Sequence, residues 1–222
     1  MHKKITKAAL SGLMSAAMVA TSVAAVAPMT VNAGQVLGNG DFDDGTALPW
    51  HTCESQPAGQ HFKIEGGKYK ITIDESDGPD GRWDLQFRHR GITMIQGHEY
   101  TISGDITATE DGYIYAKIGN YEGDKEYWHN LSGQEWKPYQ IKAGEEFHFE
   151  DTFTLKDSPV GPTEWAFHYS DNHGQYGNND TGMPKGAVLT FDNLSLVDNT
   201  SDEGDFDTTN EFGVVRPRSN VR

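Results

Sequence analysis

From residue 35 onward the apolar positions recur at every second residue in short runs, and almost nowhere at the spacing of an amphipathic helix. Such runs, rich in aromatic and β-branched residues and separated by Gly, Pro, Asp and Asn clusters, are the signature of strands. The pattern predicts strands over residues 35–37, 61–64, 69–73, 83–90, 100–109, 113–118, 147–155, 165–169 and 188–197. That many strands without a clear helix predict an all-β, two-sheet antiparallel sandwich.

Residues 82–90, Arg-Trp-Asp-Leu-Gln-Phe-Arg-His-Arg, show the alternation best. As a strand they bury Leu85 and Phe87 and leave Asp84, Gln86 and Arg88 on the opposite face. In 113–118 the inward set is Ile114, Ala116 and Ile118, leaving Tyr113, Tyr115 and Lys117; in 165–169 the rings of Trp165, Phe167 and Tyr169 share a face, leaving Ala166 and His168. Laid side by side, the outward faces offer Gln86, Arg88, Tyr115, Lys117 and His168. A guanidinium, an amide and nearby rings suit a sugar, whose hydroxyls want planar polar partners and whose C–H faces stack on aromatics. A solvated outer face accounts for the same alternation.

Turn chemistry sets the connections. Glu65-Gly-Gly-Lys68 and Glu110-Asp-Gly112 fit tight turns, whereas 119–140 and 170–185 are long. Mixed short and long connections favour a jelly-roll over a meander. Trp128 and Trp136 fall in the long polar stretch 119–140, where a tryptophan beside a polar sheet face suits a clamp.

Residues 1–33, with Lys3, Lys4 and Lys7 ahead of an Ala/Val/Met-rich run and Val-Asn-Ala33 at its end, read as an export signal. The mature chain is expected to be secreted and extracellular, with one module over 34–198. The formal charge of the whole chain is −15, and removal of three lysines makes the mature chain more acidic still. Such a surface repels phosphates and anionic lipid, which argues against nucleic acid and membrane partners and leaves a neutral polymer open. The single cysteine, Cys53, excludes an intrachain disulfide and a cysteine-based zinc site. Residues 199–222 are polar and acidic at their start, and read as a linker towards a next domain.

Carboxylates that would suit a hydrolase are poorly seated. Glu75, Asp77 and Asp80 surround Gly78-Pro79, which reads as a turn; Glu145, Glu146, Glu150 and Asp151 fit a surface strand. No nucleophile elbow, phosphate loop or His-Glu-x-x-His pattern occurs. A glycoside hydrolase complete in this one domain, a xylan-binding module and a protein-recognising adhesion domain are the competing readings.

Several motifs together carry a resemblance: Asn39-Gly-Asp-Phe-Asp43, Leu48-Pro-Trp-His51, Arg82-Trp-Asp-Leu-Gln-Phe-Arg88, Glu126-Tyr-Trp128, Ala166-Phe-His168 and Leu189-Thr-Phe-Asp-Asn-Leu-Ser-Leu196. Over residues 35–198 the chain resembles carbohydrate-binding module family 4, jelly-rolls whose concave face holds a single glucan chain. The resemblance implies a non-catalytic, monomeric module that binds β-1,4-glucan, such as amorphous cellulose or mixed-linkage glucan. It also implies a multidomain cellulase of glycoside hydrolase family 9 type as the parent. Carried over by residue, Trp83 is one side of the aromatic clamp and Gln86 the first polar reader, with Arg88, Tyr115, Lys117 and His168 as further cleft positions. Trp128 is the expected opposing ring, with Trp136 or Tyr127 as alternatives. The family also implies a structural calcium held by Asp192, Asp43 and the backbone near Asp41 and Gly67, for which an oxygen-only site is suited. An Asx turn at Asp192 is the alternative.

Overall fold

The computed structural model describes residues 34–121, 125–130 and 136–200, and the backbone of 206–207 and 216–217. The expected export signal and most of the expected linker lie outside the described residues. Eleven strands build two antiparallel sheets. In chain order they are β1 (Trp50–Glu54), β2 (Gly59–Ile64), β3 (Tyr69–Glu75), β4 (Leu85–Ile92), β5 (Glu99–Ala108), β6 (Gly112–Asn120), β7 (Glu126–His129), β8 (Tyr139–Ile141), β9 (Glu146–Thr154), β10 (Thr163–His168) and β11 (Val188–Asp198). One sheet runs β1-β4-β10-β6-β7 with β8 also on β6; the other runs β2-β3-β11-β5-β9. The chain passes from sheet to sheet at β1/β2, β3/β4, β4/β5, β5/β6, β8/β9, β9/β10 and β10/β11, the jelly-roll wiring expected from the mixed connections. Among the described residues no helix is long and apolar enough to cross a membrane.

Alternation explains the core. Leu85 and Phe87 on β4 are fully buried, as are Ile114, Ala116 and Ile118 on β6 and Trp165 and Phe167 on β10. Phe87 is the meeting point of the two sheets: its ring lies 4.8 Å from Trp50 and 6.0 Å from Phe167 on its own sheet, and 4.5 Å from Tyr69 and 4.6 Å from Phe191 on the other. Aromatic pairs at such separations add to the burial of large apolar surfaces.

Two expectations about elements are corrected. Strand 35–37 shrinks to a single bridge, Gln35 to Val197, supported by Val36 N–H donating to the Leu196 carbonyl at 2.8 Å. Trp83 does not belong to the central strand: Arg82–Asp84 form a 3-10 turn before β4. Gly81 enters it at φ 145°, a backbone position that favours glycine. Asp84, expected outward, is fully buried, and its Oδ2 accepts the backbone N–H groups of Asp80 and Gly81 at 2.7 and 2.8 Å. The turn breaks strand parity, so Trp83 swings to the side of Gln86.

Candidate functional site

The outer face of the β1-β4-β10-β6-β7 sheet carries a cleft of about 510 Å³. Strand register arranges its floor in three rows. The first is Cys53, Gln86, His168 and Tyr115; the second is His51, Arg88, Ala166, Lys117 and His129; the third is Arg90, Glu164 and Gly119. Ala166 sits in the middle row between Arg88 and Lys117 and is fully buried. Glu126 of β7 closes the third row opposite Gly119.

Hydrogen bonds hold the readers in place. Gln86 Nε2 donates to the Trp83 carbonyl at 2.7 Å and its Oε1 accepts from Arg88 Nη1 at 3.2 Å. Arg88 Nε donates to His51 Nε2 at 3.0 Å. That contact requires Nε2 to be unprotonated and puts the ring proton on Nδ1, 3.3 Å from the Pro49 carbonyl. Burial lowers the pKa of His51, which keeps the ring neutral. Tyr115 donates its hydroxyl to Glu126 Oε2 at 2.7 Å, and burial raises its pKa. Arg90 Nε pairs with Glu164 Oε2 at 2.9 Å, and Lys117 Nζ lies 3.9 Å from Glu126 and 3.8 Å from Glu164.

Rings wall one end. Trp136 and Tyr176 stack at 4.7 Å and 8°, Tyr115 lies 6.2 Å from Trp136 at 10°, and Trp83 meets Tyr176 edge-on at 6.4 Å. The Arg82 guanidinium sits 3.7 Å above the Tyr115 ring and 5.0 Å from Tyr176, while Nη1 donates to the Trp136 carbonyl at 3.1 Å. Trp136 and Tyr176 both have left-handed backbones, φ 63° and 53°, which is costly for bulky residues. Both rings line the cleft wall. Their faces suit the C–H side of a pyranose, and the adjoining rows suit its hydroxyls.

Residues 34–179 match CBM_4_9, a family of carbohydrate binding domains. The chain belongs to this family. A cellulose 1,4-beta-cellobiosidase of Acetivibrio thermocellus is 33% identical over 163 residues, which are 71% of this chain and 17% of that protein. The chain thus spans about a sixth of that relative's length. A solved CBM4 structure superimposes with TM-score 0.56 at 20% identity, covering 73% of this chain and 99% of that one. The N-terminal cellulose-binding domain of Cellulomonas fimi β-1,4-glucanase C superimposes with TM-score 0.50 at 14% identity, covering 77% and 99%. The module is therefore a carbohydrate-binding domain of the CBM_4_9 family on a two-sheet sandwich.

Of the residues expected at the binding face, Trp83, Gln86, Arg88, Tyr115, Lys117 and His168 line the cleft of this module. Trp128 does not. It is 2% exposed, packs 6.4 Å from Phe149, and donates its Nε1–H to Asp151 Oδ2 at 2.7 Å. The reason is register: residues 126–129 form β7, and Trp128 pairs with the inward Ile118. Tyr127 packs against the core as well, so Trp136 is the ring that faces the site. Sequence reasoning did not single out Arg82, Arg90, Tyr121, Glu126, Glu164 and Tyr176, which also line it. Arg90 and Glu164 share the parity of Gln86 and His168 and were legible by extending it; Tyr176, in a loop, gave no periodic signal.

At the other sheet, Asp41 and Asp43 approach Gly67 of the β2–β3 turn, and Asp192 of β11 meets Lys68 of the same turn. A Cβ on Gly67 would lie 2.6 Å from Asp43 Oδ1 and 3.9 Å from the Asp41 carbonyl oxygen. Asp192 Oδ1 accepts the Asn193 N–H at 2.9 Å, and its Oδ2 takes the Lys68 ammonium in a salt bridge. Among the described residues no three His, Cys, Asp or Glu side chains gather as a metal site. The donors are all oxygens, which suits calcium, but Lys68 already balances Asp192.

Acid should loosen this fold. His89 is fully buried between β1 and β10, with Nδ1 3.0 Å from the Arg90 carbonyl, and burial pushes its pKa down to about 3. Its unfolded pKa is about 6.5, so below that pH the unfolded chain binds a proton that the folded chain refuses, and stability falls with pH. Between pH 6 and 5 the loss from His89 is about 1 kcal/mol. Urea denaturation of His89→Gln at both pH values should show a pH dependence shallower by that amount; equal slopes for variant and wild type would remove His89 from the account.

Proposed function

We propose that the module is secreted and binds single chains of β-1,4-glucan, and that it targets an attached cellulase of glycoside hydrolase family 9 type to its substrate. The observation that carries this reading is the pairing of a polar floor, Gln86, Arg88, His168 and Tyr115, with a stacked aromatic wall, Trp136 and Tyr176. A groove of this kind reads hydroxyls along one chain and stacks on its faces. The similarity to a cellobiosidase supports the cellulase context. Titration with cello-oligosaccharides and length-matched xylo-oligosaccharides tests it: tighter binding of the cello series is expected, and preference for xylan fragments overturns the glucan assignment.

A hydrolase reading would draw on Glu126 and Glu164, the two carboxylates of the cleft. Both face Lys117, and Glu164 also holds Arg90, so neither stands free to exchange protons with a substrate. Reducing ends released from soluble β-glucan by the purified chain would reverse this judgement.

We also propose a structural calcium at Asp41, Asp43, Gly67 and Asp192. The ion would compete with Lys68 for Asp192 and join the first segment to β11. Thermal melts with calcium should exceed those with chelator, and the gap should widen in Lys68→Met, which frees the carboxylate. Identical midpoints in all four conditions would remove the ion.

A further inference from the structure

The charges of the cleft run against those of the chain. The protein carries −15 overall, yet four cations, Arg82, Arg88, Arg90 and Lys117, line the cleft against two anions, Glu126 and Glu164. The two glutamates are matched by Arg90 and Lys117. Among the described residues neither Arg82 nor Arg88 has a carboxylate within salt-bridge distance. Among the described residues Arg88 spends only Nε and one Nη1 bond, both on neutral groups, His51 and Gln86. Arg82 is 1% exposed, and among the described residues its Nη2 has no hydrogen-bond partner.

A buried, under-used guanidinium is costly unless something else completes it. Neutral sugar hydroxyls accept from arginine, but two cations without a carboxylate partner, one on the floor and one at the end wall, make the cleft a positive well. No histidine relieves this by titrating out: His51 and His168 are held neutral, first by burial and then by the neighbouring cations themselves. In the middle row the buried Ala166 separates Arg88 from Lys117, whose ammonium lies beside Glu126 and Glu164. A planar group that accepts from the remaining N–H groups of the Arg88 guanidinium fits the cleft beside it, and a carboxylate is that group.

We propose, building on the carbohydrate-binding reading above, that the cleft selects a neutral polysaccharide chain bearing a hexuronate, whose carboxylate pairs with Arg88. The net charge of −15 sets the density of that decoration. A chain acidic at every sugar is repelled as it approaches, whereas one with sparse carboxylates pays little long-range repulsion and gains the local contact.

The test uses a xylo-oligosaccharide carrying one glucuronic acid, the methyl ester of the same compound, and unsubstituted cello- and xylo-oligosaccharides of equal length. Titrated at low salt, the acid should bind about tenfold more tightly than its ester, the gap expected for a charge-assisted bidentate pair. The gap should narrow in high salt, while affinities of the neutral chains stay level. Arg88→Gln, verified as folded by circular dichroism, should erase the acid-to-ester ratio whatever it does to the affinities themselves. Equal affinity for acid and ester, with neutral chains still bound, overturns the hexuronate assignment and leaves the neutral-glycan reading standing. Binding of none of the four compounds overturns both. The salt dependence of the wild-type protein decides the matter if Arg88→Gln fails to fold.

Discussion

Trp128→Ala is expected to lower the unfolding free energy by about 3–5 kcal/mol, the usual cost of deleting a large buried ring. The ring is 2% exposed, and it ties the four-residue β7 across to Phe149 and Asp151 of β9 in the other sheet. Part of the loss is polar: Asp151 Oδ2 loses the indole N–H that it accepts at 2.7 Å. Trp128→Phe keeps most of the apolar volume and should recover much of the stability, while leaving sugar affinity at the wild-type value because the ring never faces the cleft. Urea denaturation and calorimetric titration of both variants separate the roles. A stable Trp128→Phe protein that no longer binds oligosaccharide would return Trp128 to the site.

The contrast between Trp128 and Trp136 shows where sequence legibility stops. Period-two alternation was long enough on β4, β6 and β10 to define both faces, and it placed Gln86, Arg88, Tyr115, Lys117 and His168 on one surface before any contact was known. The four residues of β7 and the three of β8 offer at most two alternations, too few to distinguish a strand from a polar loop. Trp128 was therefore read as a loop ring although Ile118 fixes its direction. Trp136 was named from the same polar stretch as an alternative ring, but Tyr176 was not, because its position depends on a left-handed backbone, and a non-glycine residue in that region carries no signature in sequence. Arg82 shows a third limit: its role follows from a 3-10 turn that interrupts the very stretch whose pattern was clearest. Asp43 and Gly67 were brought together by family resemblance and not by pattern, since residues on different turns meet only through the topology.

Trp136→Ala is expected to weaken oligosaccharide binding by about 1–3 kcal/mol, roughly 5- to 150-fold, by analogy with the stacking of flat nucleobases on aromatic side chains. The ring is held parallel to Tyr176 at 4.7 Å, and its own carbonyl is anchored by Arg82 and by Asn178 Nδ2 at 2.7 Å, so the platform is set before the ligand arrives. Preorganisation of this kind spares the ordering cost that a free side chain would incur on binding. Because a ring face touches C–H surface common to glucose and xylose, the loss should fall on cello- and xylo-oligosaccharides alike. Gln86→Ala should act differently: it removes an oriented amide, costs about 0.5–1.5 kcal/mol, and changes the ratio between the two ligands according to which hydroxyl loses its partner. Trp83→Ala sits between these cases, since Trp83 meets Tyr176 only edge-on at 6.4 Å and supports the wall as well as facing the cleft. Calorimetric titration of the three variants against both sugars, with circular dichroism to verify the fold, distinguishes platform from reader. Wild-type affinity in both tryptophan variants would move the sugar off the aromatic wall and onto the charged rows alone.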